Sequence, residues 1–172
     1  MPATEFVPVC IAVLTVSDTR TALDDTSGDT LVKRLTDAGH ILADRALVKD
    51  DVALIRAQLQ KWIDNPDIDA AITTGGTGLT GRDVTVEAMK PLFDKEIDGF
   101  AAVFHQISYE KIGTSTLQSR ACAGVAKGKY LFALPGSTGA VKDAWDGILR
   151  YQLDIRHKPC NFVEIMPRLM EK

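Results

Sequence analysis

The chain has 172 residues, 45% of them hydrophobic, with 20 Lys and Arg against 23 Asp and Glu and a formal net charge of −3. A chain of this length can bury about 70% of the surface its unfolded form exposes, so it needs no disulfide or metal staple. The mildly acidic balance and the absence of an Arg/Lys run give no electrostatic footing for nucleic acid and make small-molecule chemistry the better expectation.

The longest apolar run, Val7 to Val16, is too short to span a bilayer and follows no basic leader, so the reading is a single cytoplasmic domain over residues 1–172 with no membrane contact. Cys10, Cys122 and Cys160 are odd in number and widely spaced, as expected of reduced thiols. His40, His105 and His157 are equally scattered, and no transition-metal site is legible.

Val9 to Val16 is a continuous β-rich apolar run, the mark of a strand covered on both faces, and Ser17 and Asp18 lie at its carboxyl end. The polar loop Asp24 to Gly28 leads into Leu31, Val32, Leu35 and Ala38 at helical spacing, with Gly39 as a stop. Ile41 to Val48 reads as a second strand. Lys49-Asp50-Asp51 then opens a helix with the stripe Val52, Ile55, Leu59, Trp62 and Ile63, ended by Asn65-Pro66. Ile68 to Ile72 predicts strand three, and Val84 to Phe93 a helix.

Phe100 to Ile112 predicts another helix, with Phe100, Phe104 and Ile107 assigned to the core along with Tyr109. Thr114 to Ala126 reads as a further helix after a break at Gly113. Tyr130 to Leu134 predicts a buried strand, Val141 to Leu149 a long final helix, and Asn161 to Met166 a short edge strand. Strands alternating with helices imply a mostly parallel sheet between two helical layers, whose ligands sit outside the carboxyl ends of the strands. The exits Ser17-Asp18, Asp50-Asp51, Thr74 to Asp83 and Pro135 to Thr138 should therefore form one site.

The most informative exit is Thr73-Thr74-Gly75-Gly76-Thr77-Gly78-Leu79-Thr80-Gly81-Arg82-Asp83. Glycines remove the Cβ atoms that would hold a phosphate away and tolerate positive φ, so successive N–H groups can converge on an anion at the start of a helix. Asp83 beside a phosphate calls for a cation between them, which points to Mg²⁺ and a nucleotide. Gly76, Gly78 and Gly81 match the dinucleotide fingerprint, but the loop follows the third predicted strand and no acidic strand end follows at the right distance. No Gly-Lys-Ser/Thr closes a P-loop, and no nucleophile elbow is present. Ser137 is read as a helix cap whose neighbouring amides can hold a second phosphate.

With Asp25-Thr26-Ser27-Gly28, Asp50, Thr73 to Thr85 and Leu134-Pro135-Gly136-Ser137 in this order, the chain resembles the molybdenum-cofactor biosynthesis family MoaB/Mog from about Val9 to the last helix. Ile112 to Arg120 resembles the MoaB branch in particular. The resemblance implies a three-layer α/β/α fold, a homotrimer or hexamer, and binding of molybdopterin, a pterin with a dithiolene and a terminal phosphate. It also implies transfer of AMP from Mg-ATP to that phosphate, with other enzymes of the pathway as possible partners.

By the same resemblance the catalytic and metal-binding positions are Asp50 and Asp83, with Asp51 a rival to Asp50 and Arg82 stabilising developing charge. Pterin and phosphate contacts fall on Gly75, Gly76, Thr77 and Gly78 and on Pro135, Gly136, Ser137 and Thr138, beside Ser17 and Thr74. Lys49 and Thr138 stand where the adenylyltransferase branch usually has Pro, which keeps a non-catalytic pterin carrier open as the alternative. An unrelated nucleotide-binding enzyme is the third reading.

Overall fold

The computed structural model describes residues 4–172. Strand β1 (Cys10–Val16) is buried from its second residue to its last, as a seven-residue apolar run between two layers must be. Asp25 caps helix α1 (Thr26–Asp37), ahead of the first apolar position of its stripe at Leu31, by accepting from the Gly28 amide. Strand β2 (Ile41–Val48) alternates exposed and half-buried residues because it forms an edge. Its Asp44 and Arg45 place charge along that edge.

Asp51 caps α2 (Val52–Ile63). Strand β3 (Ala70–Thr74) begins two residues later than expected and is fully buried. After the glycine loop come α3 (Thr85–Met89), a 3-10 turn at Lys90–Leu92 and the two-residue strand β4 (Lys95–Glu96). Helix α4 (Asp98–Ile112) follows.

The stretch Thr114 to Ala126 departs from expectation: a 3-10 segment (Gly113–Gln118) is followed by strand β5 (Cys122–Ala126). A two-residue turn at Lys127 and Gly128, both at positive φ, folds β5 back on β6 (Lys129–Leu134) as an antiparallel hairpin. The turn, and not the small side chains Cys-Ala-Gly-Val-Ala, dictates the strand. The expected final helix is divided into α5 (Thr138–Ala144), a π turn (Trp145–Leu149) and α6 (Arg150–Gln152). The tail is a further correction. Asn161 accepts from the Glu164 amide and starts helix α7 (Phe162–Ile165), so no edge strand forms there.

The six strands are ordered β2-β1-β3-β6-β5-β4, parallel from β2 to β6 and antiparallel at β5 and β4. On one face Leu31 and Leu35 of α1, Phe100 and Phe104 of α4, and Val141 of α5 with Trp145 pack on Ile11, Val13, Ile72 and Phe132. On the other, Ile55, Leu59 and Trp62 of α2 and Met89 of α3 cover Ala12, Leu14 and Leu131. These are the three layers the pattern implied. Phe100 and Phe104 are buried and Ile107 packs against the same core, whereas Tyr109 is exposed.

Register decides where the site falls. Thr15 pairs with Thr74, Thr74 with Leu134, and Val16 with Val48. The four parallel strands thus end at one level, and the chain leaves them at Ser17, Lys49, Gly75 and Pro135 along a single crest. Bonds from Ser17 N to Val48 O (2.9 Å) and from Gly75 N to Leu134 O (3.0 Å) tie neighbouring exits together.

Candidate functional site

A cavity of about 630 Å³ opens on this crest, within the range of small-molecule sites. Its floor is Thr74, Gly75, Gly76, Thr77 and Gly78; one side holds Ser17, Asp18 and Asp50; another holds Pro135, Gly136 and Ser137. The strand exits that the sequence singled out therefore do meet.

The glycine loop owes its shape to positive φ at Gly75 (+103°) and Gly76 (+69°). A Cβ at Gly75 would collide with the Val16 carbonyl, and one at Gly76 would collide with Thr85 Oγ1. Thr85 donates from that hydroxyl to Gly75 O (2.8 Å) and from its amide to Gly76 O (3.0 Å), closing the loop onto the start of α3. Among the described residues, the amides of Gly76, Thr77 and Gly78 donate to no protein group, although Thr77 is buried. Three consecutive free donors at the floor of a cavity form a concavity suited to an anion.

Two carboxylates stand beside those donors. Asp50 Oδ1 would lie 3.1 Å from a Cβ at Gly76, and Asp83 Oδ2 2.7 Å from one at Gly78. Asp83 is held by Thr80, whose amide (3.0 Å) and hydroxyl (2.7 Å) both donate to Oδ2. Burial, and then the negative charges of Asp18 and Asp83, push the Asp50 carboxyl above its ordinary value. Asp51 faces elsewhere, accepting from the Leu54 amide as the cap of α2.

Arg82 lies outside the cavity lining. Its guanidinium grips Asp18 through two bonds (2.8 and 3.0 Å), holding that carboxyl below its usual range, and donates to Asp50 O (3.0 Å). It fixes the backbone that carries Asp50. Thr138 is also absent from the lining, its hydroxyl 3.4 Å from that of Thr26. Ser137 caps α5 by accepting from the Ala140 amide (3.1 Å). Ser17 Oγ accepts from the Arg20 amide (3.0 Å), and Thr74 Oγ1 donates to Pro135 O (3.0 Å).

Arg20 supplies the one basic side chain in the lining among the described residues, and sequence reasoning did not single it out. It donates to Gly136 O (3.1 Å) and to Ser27 Oγ and lies 3.8 Å from Asp25 Oδ1. Asp25 is itself buried and accepts from Thr15 Oγ1 (2.6 Å) and Arg45 (3.0 Å). The remaining wall comes from Phe104, Ser108 and Ile112 of α4 and from Ser115, Thr116, Gln118 and Ser119 beyond it. Reading this last stretch as helix concealed it. His105 Nδ1 lies 2.9 Å from Thr116 Oγ1 and ties the wall to α4.

Fold and site together define an open α/β protein whose sheet crest presents backbone amides, three carboxylates (Asp18, Asp50 and Asp83) and one guanidinium to one ligand cavity. Comparison with known proteins narrows this class. A family described as "Probable molybdopterin binding domain" matches residues 12–155. The chain is 52% identical over 160 residues to molybdenum cofactor biosynthesis protein B of Escherichia coli (strain K12), covering 93% of this chain and 94% of that protein. It is 48% identical to the protein of the same name from Staphylococcus aureus (strain Mu50 / ATCC 700699), covering 83% and 86%.

A crystal structure of a molybdenum cofactor biosynthesis protein B superposes with a TM-score of 0.86 at 38% identity, covering 96% of this chain and 98% of the other. The tungsten cofactor synthesizing protein MoaB from Pyrococcus furiosus gives 0.74 at 37% identity, covering 83% and 91%. The chain belongs to the MoaB family of molybdenum cofactor biosynthesis proteins.

Proposed function

We propose that the chain acts in molybdenum-cofactor biosynthesis by binding molybdopterin at the sheet crest, with the terminal phosphate on the amides of Gly76, Thr77 and Gly78. The observation that carries this reading is the run of three unpartnered donors, in a cavity with one basic side chain and enough room for a pterin. Arg20 complements the charge of the phosphate, and Phe104 and Ile112 offer the flat ring system an apolar wall.

The finer proposal is adenylyl transfer. A terminal phosphate oxygen of molybdopterin attacks the α-phosphorus of ATP; a P–O–P bond forms, the α–β bridging bond breaks, and pyrophosphate leaves with the electron pair. Protein help in such a step is mostly alignment and charge compensation. The donor set fits Mg²⁺, which usually takes one or two carboxylates and completes its shell with water and phosphate oxygens. Asp50 and Asp83 would hold it, and when bound it neutralises charge on the reacting phosphates. Among the described residues no group of three or more Asp, Glu, His or Cys could form a fuller cage.

A non-catalytic carrier is the second reading, favoured by one observation: Arg82 is committed to Asp18 and to the Asp50 backbone, away from the cavity. Incubation with molybdopterin, Mg²⁺ and ATP separates the two readings. Pyrophosphate and adenylylated pterin that vanish in Asp83→Ala support the enzyme, and bound pterin without product supports the carrier. The reading includes assembly as a homotrimer or hexamer, which light scattering distinguishes from a monomer.

A further inference from the structure

Arg120 reaches the glycine loop from behind. Its amide donates to Thr77 O (2.9 Å), its Nε to Gly78 O (2.9 Å) and its Nη2 to Asp83 O (3.1 Å). The same guanidinium is paired with both carboxylate oxygens of Glu87 on α3. Arg120 is not part of the cavity lining, yet it directly follows Gln118 and Ser119, which are.

A carbonyl and the next residue's N–H share one rigid peptide plane and point in opposite directions. The main-chain amide of Arg120, which holds Thr77 O from one side whatever the side chain, therefore sets the direction of the Gly78 N–H, one of the three unpartnered donors, while the guanidinium acts on the carbonyls that follow. Holding Gly78 O and Asp83 O fixes the rest of the turn, including the residue that carries the second carboxylate.

We infer that Arg120 is a positioning residue, which locks the Gly76–Asp83 loop in an anion-ready shape and fastens the floor of the cavity to its Ser115–Ser119 wall. Preorganised amides bind tightly because their orientation costs nothing at the moment of binding. Glu87 holds the guanidinium in the plane from which it reaches the carbonyl oxygens of Gly78 and Asp83. The inference rests on the phosphate-binding reading of the loop for its functional meaning, but not for its structural content.

The test is amide hydrogen exchange of the ligand-free protein, together with molybdopterin titration, in the wild type, Arg120→Met, Arg120→Lys and Glu87→Gln. Arg120→Met keeps the main-chain bond to Thr77 O and loses those to Gly78 O and Asp83 O, and in it we expect the hydrogen-bonded loop amides of Thr80, Asp83 and Thr85 to exchange roughly tenfold faster or more while β1, β3 and β6 keep their protection, with the dissociation constant raised about tenfold. Arg120→Lys, whose single ammonium cannot serve both carbonyls, should fall between Met and wild type, and Glu87→Gln should show a smaller change in the same segment. Unchanged loop exchange in Arg120→Met, or acceleration spread equally over the sheet, overturns the inference. Should Arg120→Met fail to fold, the Lys and Gln variants decide it by the same criterion. A wild type that takes up no molybdopterin refutes the proposed function, and the exchange results then decide the clamp alone.

Discussion

Asp50 lies over Gly76: its Oδ1 would stand 3.1 Å from a Cβ built there, on a backbone held at φ +69°. The absence of a side chain at Gly76 is thus what lets a carboxylate approach the amide-lined floor. Gly76→Ala should cost about 2–4 kcal/mol, from left-handed backbone strain and the collision with Thr85 Oγ1. At Gly81 a Cβ meets nothing within 4 Å, so Gly81→Ala should stay within about 0.5 kcal/mol of wild type. Urea unfolding of the two variants checks the contrast.

Asp83 combines a negative charge with two accepted bonds from Thr80. Asp83→Asn keeps an oxygen for those bonds and removes the charge. If the chain is an adenylyltransferase, turnover should fall roughly 100-fold or more, because a metal ligand is lost, while molybdopterin affinity changes less than about threefold. Steady-state rates measured against Mg²⁺ concentration, set beside a binding titration, check both parts.

His40 is buried between Phe6 and Trp145, and its Nδ1 accepts from the Val9 amide (3.1 Å), so the folded protein holds it neutral. Burial lowers its folded pKa below 6.5, partly offset by Asp154. Above pH 6.5 the ring is neutral in both states and the stability is fully present. As pH falls from 6.5 toward the folded value only the unfolded chain gains the proton, and stability drops by up to about 1.4 kcal/mol per pH unit. His40→Gln, which can still accept from Val9, should flatten that part of the stability profile in chemical denaturation between pH 5 and 7.

Thr73 Oγ1 is the one buried side-chain oxygen without a hydrogen-bond partner among the described residues. It is not part of the cavity lining, and its neighbour Thr74 is. Replacing an unsatisfied hydroxyl by a methyl of similar shape removes a desolvation cost, so Thr73→Val should raise stability by about 1 kcal/mol and leave molybdopterin binding unchanged. Thermal unfolding and a titration of the variant check this.

The parallel half of the sheet was legible because β1 and β6 are apolar runs and all four of its strands lead into polar exits, which a parallel register then brings level. The loop Gly75 to Gly78 was legible because three of its four residues are glycine, and its turn at positive φ through Gly75 and Gly76 has no room for a Cβ. The antiparallel half was not. The helix expected over Thr114 to Ala126 missed the positive-φ turn at Lys127 and Gly128, which decides that Cys122–Ala126 is a strand. With that strand went the Ser115 to Ser119 wall and Arg120.

Arg20 escaped notice for another reason. Its place in the cavity depends on Ser27 and on Gly136, 116 residues away in sequence, and on a buried Asp25 that reads locally only as a helix cap. Arg82 illustrates the converse: its position at the loop exit suggested contact with the ligand, and a partner 64 residues away, Asp18, holds it outside the cavity.

The central claim is that the free amides of Gly76, Thr77 and Gly78 receive the phosphate of molybdopterin. Nuclear magnetic resonance of the ¹⁵N-labelled protein during a molybdopterin titration reports on those three groups directly. The account predicts that their amide signals move together along one saturating curve while that of Gly128, in the β5–β6 turn away from the cavity lining, stays still. Saturable binding that leaves all three signals in place would contradict it.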